Sequence, residues 1–259
     1  MKRANSNKRK SLFYLVLFAV CLCFFNVSCG LDVLKEVLPD PYYSENTPIA
    51  DRDSESDFAT SYFEFTIRKV DNANDFGRAS IYYKIYNDYS KASSEESRLI
   101  SKSSDTASNT SFTTMNQEYG YKELQYMNKD DETVHSLDLP NGRHKLWIRL
   151  TNYDDSTEDY SAGIKVDEKS IGIPVRHNGK TFDFGRSGTY DENPSLTHSA
   201  TDSDSDTKGF EEKQADGQEN IFYVVLFGVF QDFDDSYFEN NSPVHHLGRV
   251  KIDANKEKN

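Results

Sequence analysis

Apolar residues along this chain fall into three patterns, and each predicts a different element. Residues 12–25 are apolar without a break. From Ser61 the spacing becomes two: Phe63, Phe65 and Ile67 alternate with Glu64, Thr66 and Arg68, and Ile81, Tyr83 and Ile85 repeat the alternation after a turn region at 75–77. Successive side chains of a strand point to opposite faces, so both stretches read as half-buried strands. Residues 221–230, IFYVVLFGVF, are apolar on both parities. That run is too short to cross a bilayer as a helix, and its β-branched and aromatic content, with Gly228 inside it, predicts a strand buried on both faces.

Between these elements the punctuation is turn chemistry. In 137–152, LDLPNGRHKLWIRLTN, Asn141-Gly142 supplies a tight turn, after which His144, Leu146, Ile148 and Leu150 share one strand face. Ile171, Ile173 and Val175 lead to Asn178-Gly179 and a return through Phe182 and Phe184, a second hairpin signal. Residues 119–127, 162–166 and 244–252 are further strand candidates. Residues 88–111 lose periodicity and read as a long exposed loop with room for a short helix near 95–100. Residues 186–219, which contain TDSDSD, read as a mobile insertion. The expected organisation is a leader at 1–28, a flexible tether at 29–57 and a β-sandwich at 58–168. Residues 169–259 then form either a second small β module or the completion of the same sandwich.

The apolar run at 12–25 has a cationic approach, Lys2, Arg3, Lys8, Arg9 and Lys10, and is followed by Asn26, Val27, Ser28 and Cys29. It is shorter than the roughly 20 residues a spanning helix needs, which favours an export signal. Of Cys21, Cys23 and Cys29, only Cys29 follows a small residue, Ser28. Cleavage between Ser28 and Cys29 with acylation of Cys29 is therefore the expected processing. Each buried methylene of such an anchor contributes about 0.8 kcal/mol, and two or more acyl chains hold firmly.

Charge narrows the range of partners. Residues 1–28 hold five basic and no acidic side chains, so the remainder carries 25 basic against 43 acidic residues, a net charge of −18. Such a surface repels phosphate backbones and anionic head groups, which argues against nucleic acid. The loss of Cys21 and Cys23 with the leader leaves no intrachain disulfide, so stability must come from packing. The 16 Tyr and 17 Phe against one Trp suit pleated, half-buried strands.

Two resemblances follow from these residues. Leu139, Gly142, Leu146, Ile148, Leu150 and Asn152, with Ala162, Ile164 and Val166 before Asp167, resemble the end-of-sandwich hairpin and closing strand of bacterial immunoglobulin-like and fibronectin type III-like modules. His144 stands where those modules place Tyr. The resemblance implies a mainly β fold, an antiparallel immunoglobulin-like β-sandwich with long polar loops and further C-terminal strands. The relaxed signal at Ser28-Cys29, the low-complexity tether and the Lys/Asp/Asn/Ser-rich surface resemble spirochaetal, Borrelia-type outer-surface lipoproteins. That resemblance implies an outer-membrane location and an antigen or host-interaction role.

Candidate chemistry is sparse. Asp202, Asp204 and Asp206 begin like a calcium loop, but Thr207 stands where Gly is needed and Lys213 where the bidentate Glu is needed; Glu211 or Glu212 would have to substitute. His245 and His246 are adjacent and on a strand face opposite ways, and His135, His144, His177 and His198 are scattered, so no zinc spacing arises. No Gly-x-Ser-x-Gly elbow or phosphate loop is present. Asp154 with Asp155 and Asp234 with Asp235 read as solvated pairs rather than glycosidase carboxylates.

The sequence thus predicts no catalytic residue, metal or cofactor, and leaves the ligand-binding residues open. It predicts a non-catalytic binding module fixed to the outer membrane through lipid on Cys29 and directed at a host protein, a glycan or an envelope component. A periplasmic structural or assembly lipoprotein is the alternative, and a glycan-active enzyme ranks third.

Overall fold

The computed structural model describes residues 42–48, 60–69, 78–104, 110–134, 137, 139, 142–152, 161–184, 200–201, 203–211, 220–233 and 239–254. Ser28, Cys29 and the apolar run before them lie outside the described residues, as do Asp202, the pairs at 154–155 and 234–235, His135 and His198.

The fold is mainly β with antiparallel sheets. The first sheet has seven strands in the order β1 (Tyr42–Asn46), β2 (Phe63–Lys69), β7 (Gly142–Arg149), β8 (Gly163–Val166), β9 (Lys169–Val175), β5 (Gln125–Met127) and β6 (Thr133–Val134). The second is built on β10 (Ile221–Phe233), which pairs with β3 (Arg78–Tyr86) on one edge. It also pairs with β11 (Glu239–Asn241) and β12 (His245–Asp253), while β4 (Lys122–Glu123) lies beyond β3. Strands from 169–254 therefore sit in both sheets, and the described residues all fall within one compact unit. Tyr42–Asn46, expected in the tether, instead pairs with β2.

Phe63, Phe65 and Ile67 of β2 and Leu146 and Ile148 of β7 meet Ile81, Tyr83 and Ile85 of β3 and Phe222, Val224 and Leu226 of β10 in one buried core. The two sheets pack through these faces. The opposite parity of β3 and β10, Tyr82, Tyr86, Tyr223, Val225, Phe227 and Val229, enters a second core with Ala92, Leu99, Phe112, Met115 and Tyr121. A strand buried on both faces must be apolar throughout, and β10 realises the expectation drawn from 221–230.

The covering layer corrects the long loop expected at 88–111. Its centre is helix α1, Tyr89–Ser103, followed by the short helix α2, Thr110–Thr113, and a π-helical turn, Thr114–Glu118. Asp88 caps α1 by accepting from the Lys91 N–H at 2.7 Å, and Lys102 in the last turn complements the helix dipole. The sequence left room only for a short helix near 95–100, because the inner face of this helix is largely ionic. Only Ala92 and Leu99 are buried. Between them Glu95 takes Lys84 Nζ at 2.7 Å, and Glu96 takes Arg249 Nη1 at 2.7 Å and lies 2.5 Å from His246 Nε2.

The Asn178-Gly179 turn forms, with the Arg176 N–H donating to the Lys180 carbonyl at 2.7 Å. Its return through Phe182 and Phe184 is not a strand; both rings enter the inter-sheet core instead.

Candidate functional site

Alternation along β7 sends Leu146 and Ile148 into the core and leaves Lys145 and Trp147 half-buried on the outer face of the seven-stranded sheet, with Arg149, of the same parity, buried beside the Trp147 and Tyr62 rings. Strand register then builds a lateral row across four strands: Glu64 of β2 opposes Trp147 of β7, Trp147 opposes Lys165 of β8, and Lys165 opposes Ser170 of β9. Residues directly opposite in an antiparallel pair share a face, so the row is one continuous surface.

Trp147 is its centre. The Tyr62 ring lies 5.6 Å from the indole, tilted by 34°. Lys165 Nζ sits 4.7 Å and Arg149 Cζ 5.0 Å from the indole centroid, distances at which a cation is attracted by the ring's negative face. The indole edge reaches over Gly163, where an added Cβ would stand 3.6 Å from it. Beside the row, Lys145 is held by Glu64 at 3.0 Å and Glu45 at 3.5 Å. Its bond to Glu64 raises its pKa, while the Thr66 hydroxyl donates to Glu45 and draws that carboxyl down. Lys145 is thus neutralised locally. Lys165 is not: it is exposed, and among the described residues its ammonium has no carboxylate partner. The Trp147 indole N–H and the hydroxyls of Tyr62 and Ser170 also have no hydrogen-bond partner among the described residues.

At Ser170 the row runs into a cleft of about 560 Å³, lined by 127–131, Ala162 and 170–173. Asn128 shapes its rim by accepting from the N–H groups of Asp130 and Glu132, both at 2.9 Å. Ile173, 43% exposed, gives the cleft an apolar patch. Gly172 lets β5 and β9 close up, because a Cβ there would lie 2.2 Å from the Met127 carbonyl oxygen.

The aspartates of TDSDSD have a different role. Arg176 is fully buried and donates to Asp206 through Nε (2.9 Å) and Nη2 (2.7 Å), with Nη2 also 2.8 Å from Asp204. The Tyr83 hydroxyl donates to Asp206 at 2.6 Å and accepts from the His177 N–H at 2.7 Å, and Lys180 reaches Asp204 at 3.0 Å. Burial pushes the Asp204 carboxyl up, but the Thr201 N–H and the Arg176 and Lys180 cations outweigh it and hold the pKa below the usual value. Burial, then the neighbouring Asp206 charge, drives the Tyr83 phenol well above its usual range.

Residues 203–211, read from sequence as part of a mobile insertion, are in fact a strap. Asn87 and Glu211 exchange two bonds of 2.9 Å, Lys208 donates to the Glu118 carbonyl at 2.7 Å, and Lys91 donates to the Gly209 carbonyl. The carboxylates of Asp204 and Asp206 serve the internal cations Arg176 and Lys180. No group of three or more His, Cys, Asp or Glu among the described residues is arranged to hold a metal.

His144, His177 and His246 have separate surroundings: His144 pairs with Asp167 at 2.7 Å, His177 meets Gln125 at 3.3 Å, and His246 packs against Phe227. The His144 bond is the main cause of a lowered Asp167 pKa. Sequence reasoning passed over the row around Trp147 and the Arg176 centre. A signal for the row existed, since the parity that makes Leu146 and Ile148 inward makes Lys145, Trp147 and Arg149 outward. Arg176 had none, its partners lying 28 and 30 residues away.

Compared with known proteins, the chain matches no family model, and neither a curated protein nor a solved structure shows significant similarity to it. Among the described residues no helix is long and apolar enough to cross a membrane.

Proposed function

We propose that the chain is an outer-membrane lipoprotein, anchored through lipid on Cys29, whose β-sandwich is a surface-exposed, non-catalytic binding module for a host or envelope component. The observation that carries the binding role is the row on the outer sheet face, where the Trp147 N–H and the Tyr62 and Ser170 hydroxyls have no hydrogen-bond partner, and the Lys165 ammonium no carboxylate partner, among the described residues. Aromatic and cationic side chains in that state are what recognition surfaces use. The anchor rests on residues 12–25 followed by Ser28-Cys29. The immunoglobulin-like resemblance agrees with the role, since such sandwiches serve as scaffolds for binding surfaces.

Metabolic labelling with a radioactive fatty acid, followed by protease treatment of intact cells, tests the reading. The wild-type chain takes up label and is cut from outside, and Cys29→Ala takes up none and is released or mislocalised. Label retained in Cys29→Ala would remove the anchor. A chain left uncut while a known surface marker disappears would transfer the protein to the periplasmic alternative.

A further inference from the structure

We propose that the Glu64–Trp147–Lys165–Ser170 row and the adjoining cleft form a binding site for a short, singly charged acidic oligosaccharide, a pyranose bearing one carboxylate. The inference rests on the binding-module reading and names its ligand class.

Beside the Lys165 and Arg149 cations, which lie 4.7 and 5.0 Å from the indole centroid, the half-buried rings of Trp147 and Tyr62 leave aromatic surface that suits the weakly positive C–H face of a pyranose. Lys165, held beside the indole at 4.7 Å and carrying no carboxylate partner among the described residues, supplies a positioned ammonium for an anion. One strand further on, the Ser170 hydroxyl borders the cleft of about 560 Å³, within the range of small-molecule sites.

Charge sets the ligand's size and direction. The body beyond Cys29 carries a net −18, so a long polyanion is repelled by the surroundings while a single carboxylate at Lys165 is not. Glu64 is occupied by Lys145 at 3.0 Å, which reduces its repulsion at the other side of the row. Asp130 and Asp131 outnumber Lys129 among the charged residues lining the cleft, so the carboxylate lies at the Lys165 end and the neutral sugar rings run past Ser170 toward the cleft. There, sugar hydroxyls can donate to the two aspartates.

Trp147 is the chain's one tryptophan, so the emission of the full-length protein in detergent reports on the site directly. The probes are 3′-sialyllactose and its neutral counterpart lactose, added at equal concentrations. The expected result is a saturable change in Trp147 emission with 3′-sialyllactose and none with lactose. Loss of one charge-assisted hydrogen bond predicts that Lys165→Ala, at an exposed position, weakens binding about tenfold or more, and that Lys165→Arg restores it.

Equal responses to the two saccharides, or unchanged affinity in Lys165→Ala, would overturn the proposal. So would silence in both Trp147 emission and saturation-transfer NMR of the saccharide. If those results come from a chain that is acylated and surface-exposed, the ligand class alone falls. An unacylated Cys29 would instead remove the anchored reading beneath it.

Discussion

Arg176 and Asp206, thirty residues apart, form a two-pronged ion pair inside the protein, with Nε to Oδ2 at 2.9 Å and Nη2 to Oδ1 at 2.7 Å. Neither side chain is more than 1% exposed. The pair fastens the 203–211 strap to the end of β9, and Tyr83 of β3 completes it from the other sheet. Breaking a buried pair leaves the surviving charge without compensation, so Arg176→Met should cost about 3–5 kcal/mol. Pairing it with Asp206→Leu should recover part of that loss, read as a non-additive shift in the urea midpoint.

The same centre gives the protein a definite acid response. The pKa of Asp204 is depressed in the folded state, so the unfolded chain takes up the proton first as pH falls. Its stabilisation is therefore fully present above the unfolded value of about 3.9 and is lost as pH drops through the folded value. Asp204→Asn should be less stable at neutral pH and should show a shallower loss of stability between about pH 5 and pH 2 in acid titrations followed by circular dichroism.

Alkali acts through the tyrosines. Tyr83, Tyr86 and Tyr121 all have phenol pKa values well above normal, burial being the largest cause in each. A raised folded value means that the stability they confer is present below the unfolded pKa of about 10 and is lost as pH rises above it. Phenolate absorption should show these three of the 16 tyrosines ionising only as the fold opens, in a step coincident with loss of circular dichroism.

Lys84 makes a useful contrast to Arg176. Its side chain is 1% exposed and burial lowers its pKa, but its partner Glu95 is 14% exposed and also accepts from the Tyr86 hydroxyl at 2.8 Å. Removal of the amine therefore strands no fully buried charge. Lys84→Met should cost about 1–2 kcal/mol, less than Arg176→Met under the same conditions.

The cleft depends on Gly172. A methyl group there would collide with the Met127 carbonyl oxygen at 2.2 Å, and that atom belongs to backbone that cannot swing aside. Gly172→Ala should separate β5 from β9 and cost about 1–3 kcal/mol. Faster hydrogen exchange at 125–127 would show that the lesion is local.

Strands were legible wherever one face is apolar. Phe63, Phe65 and Ile67 and the doubly apolar 221–230 could be placed before any coordinates, because burial on one face or two is a local property of spacing. Beyond the short helix expected near 95–100, the full length of helix α1 was hidden for the opposite reason: it docks through Glu95 and Glu96 onto Lys84, His246 and Arg249, and a charged inner face looks like a solvated one when the partners are distant in sequence. The strap failed in the same way. Its aspartates read as loop residues until Arg176, Lys180 and Tyr83 were brought to them.

By itself the sequence determined the mainly β class, the inward parity of β2, β3 and β7, and the placing of β10 between two apolar layers. Each follows from alternation and composition, and none of the three requires knowledge of which strands become neighbours. Only the tertiary structure decided what stands opposite what. Pairing across strands gathered Glu64, Trp147, Lys165 and Ser170 into one row, and chain folding buried Arg176 against Asp206, because register and long-range ion pairing are set by the packing of the two sheets together rather than by any local stretch.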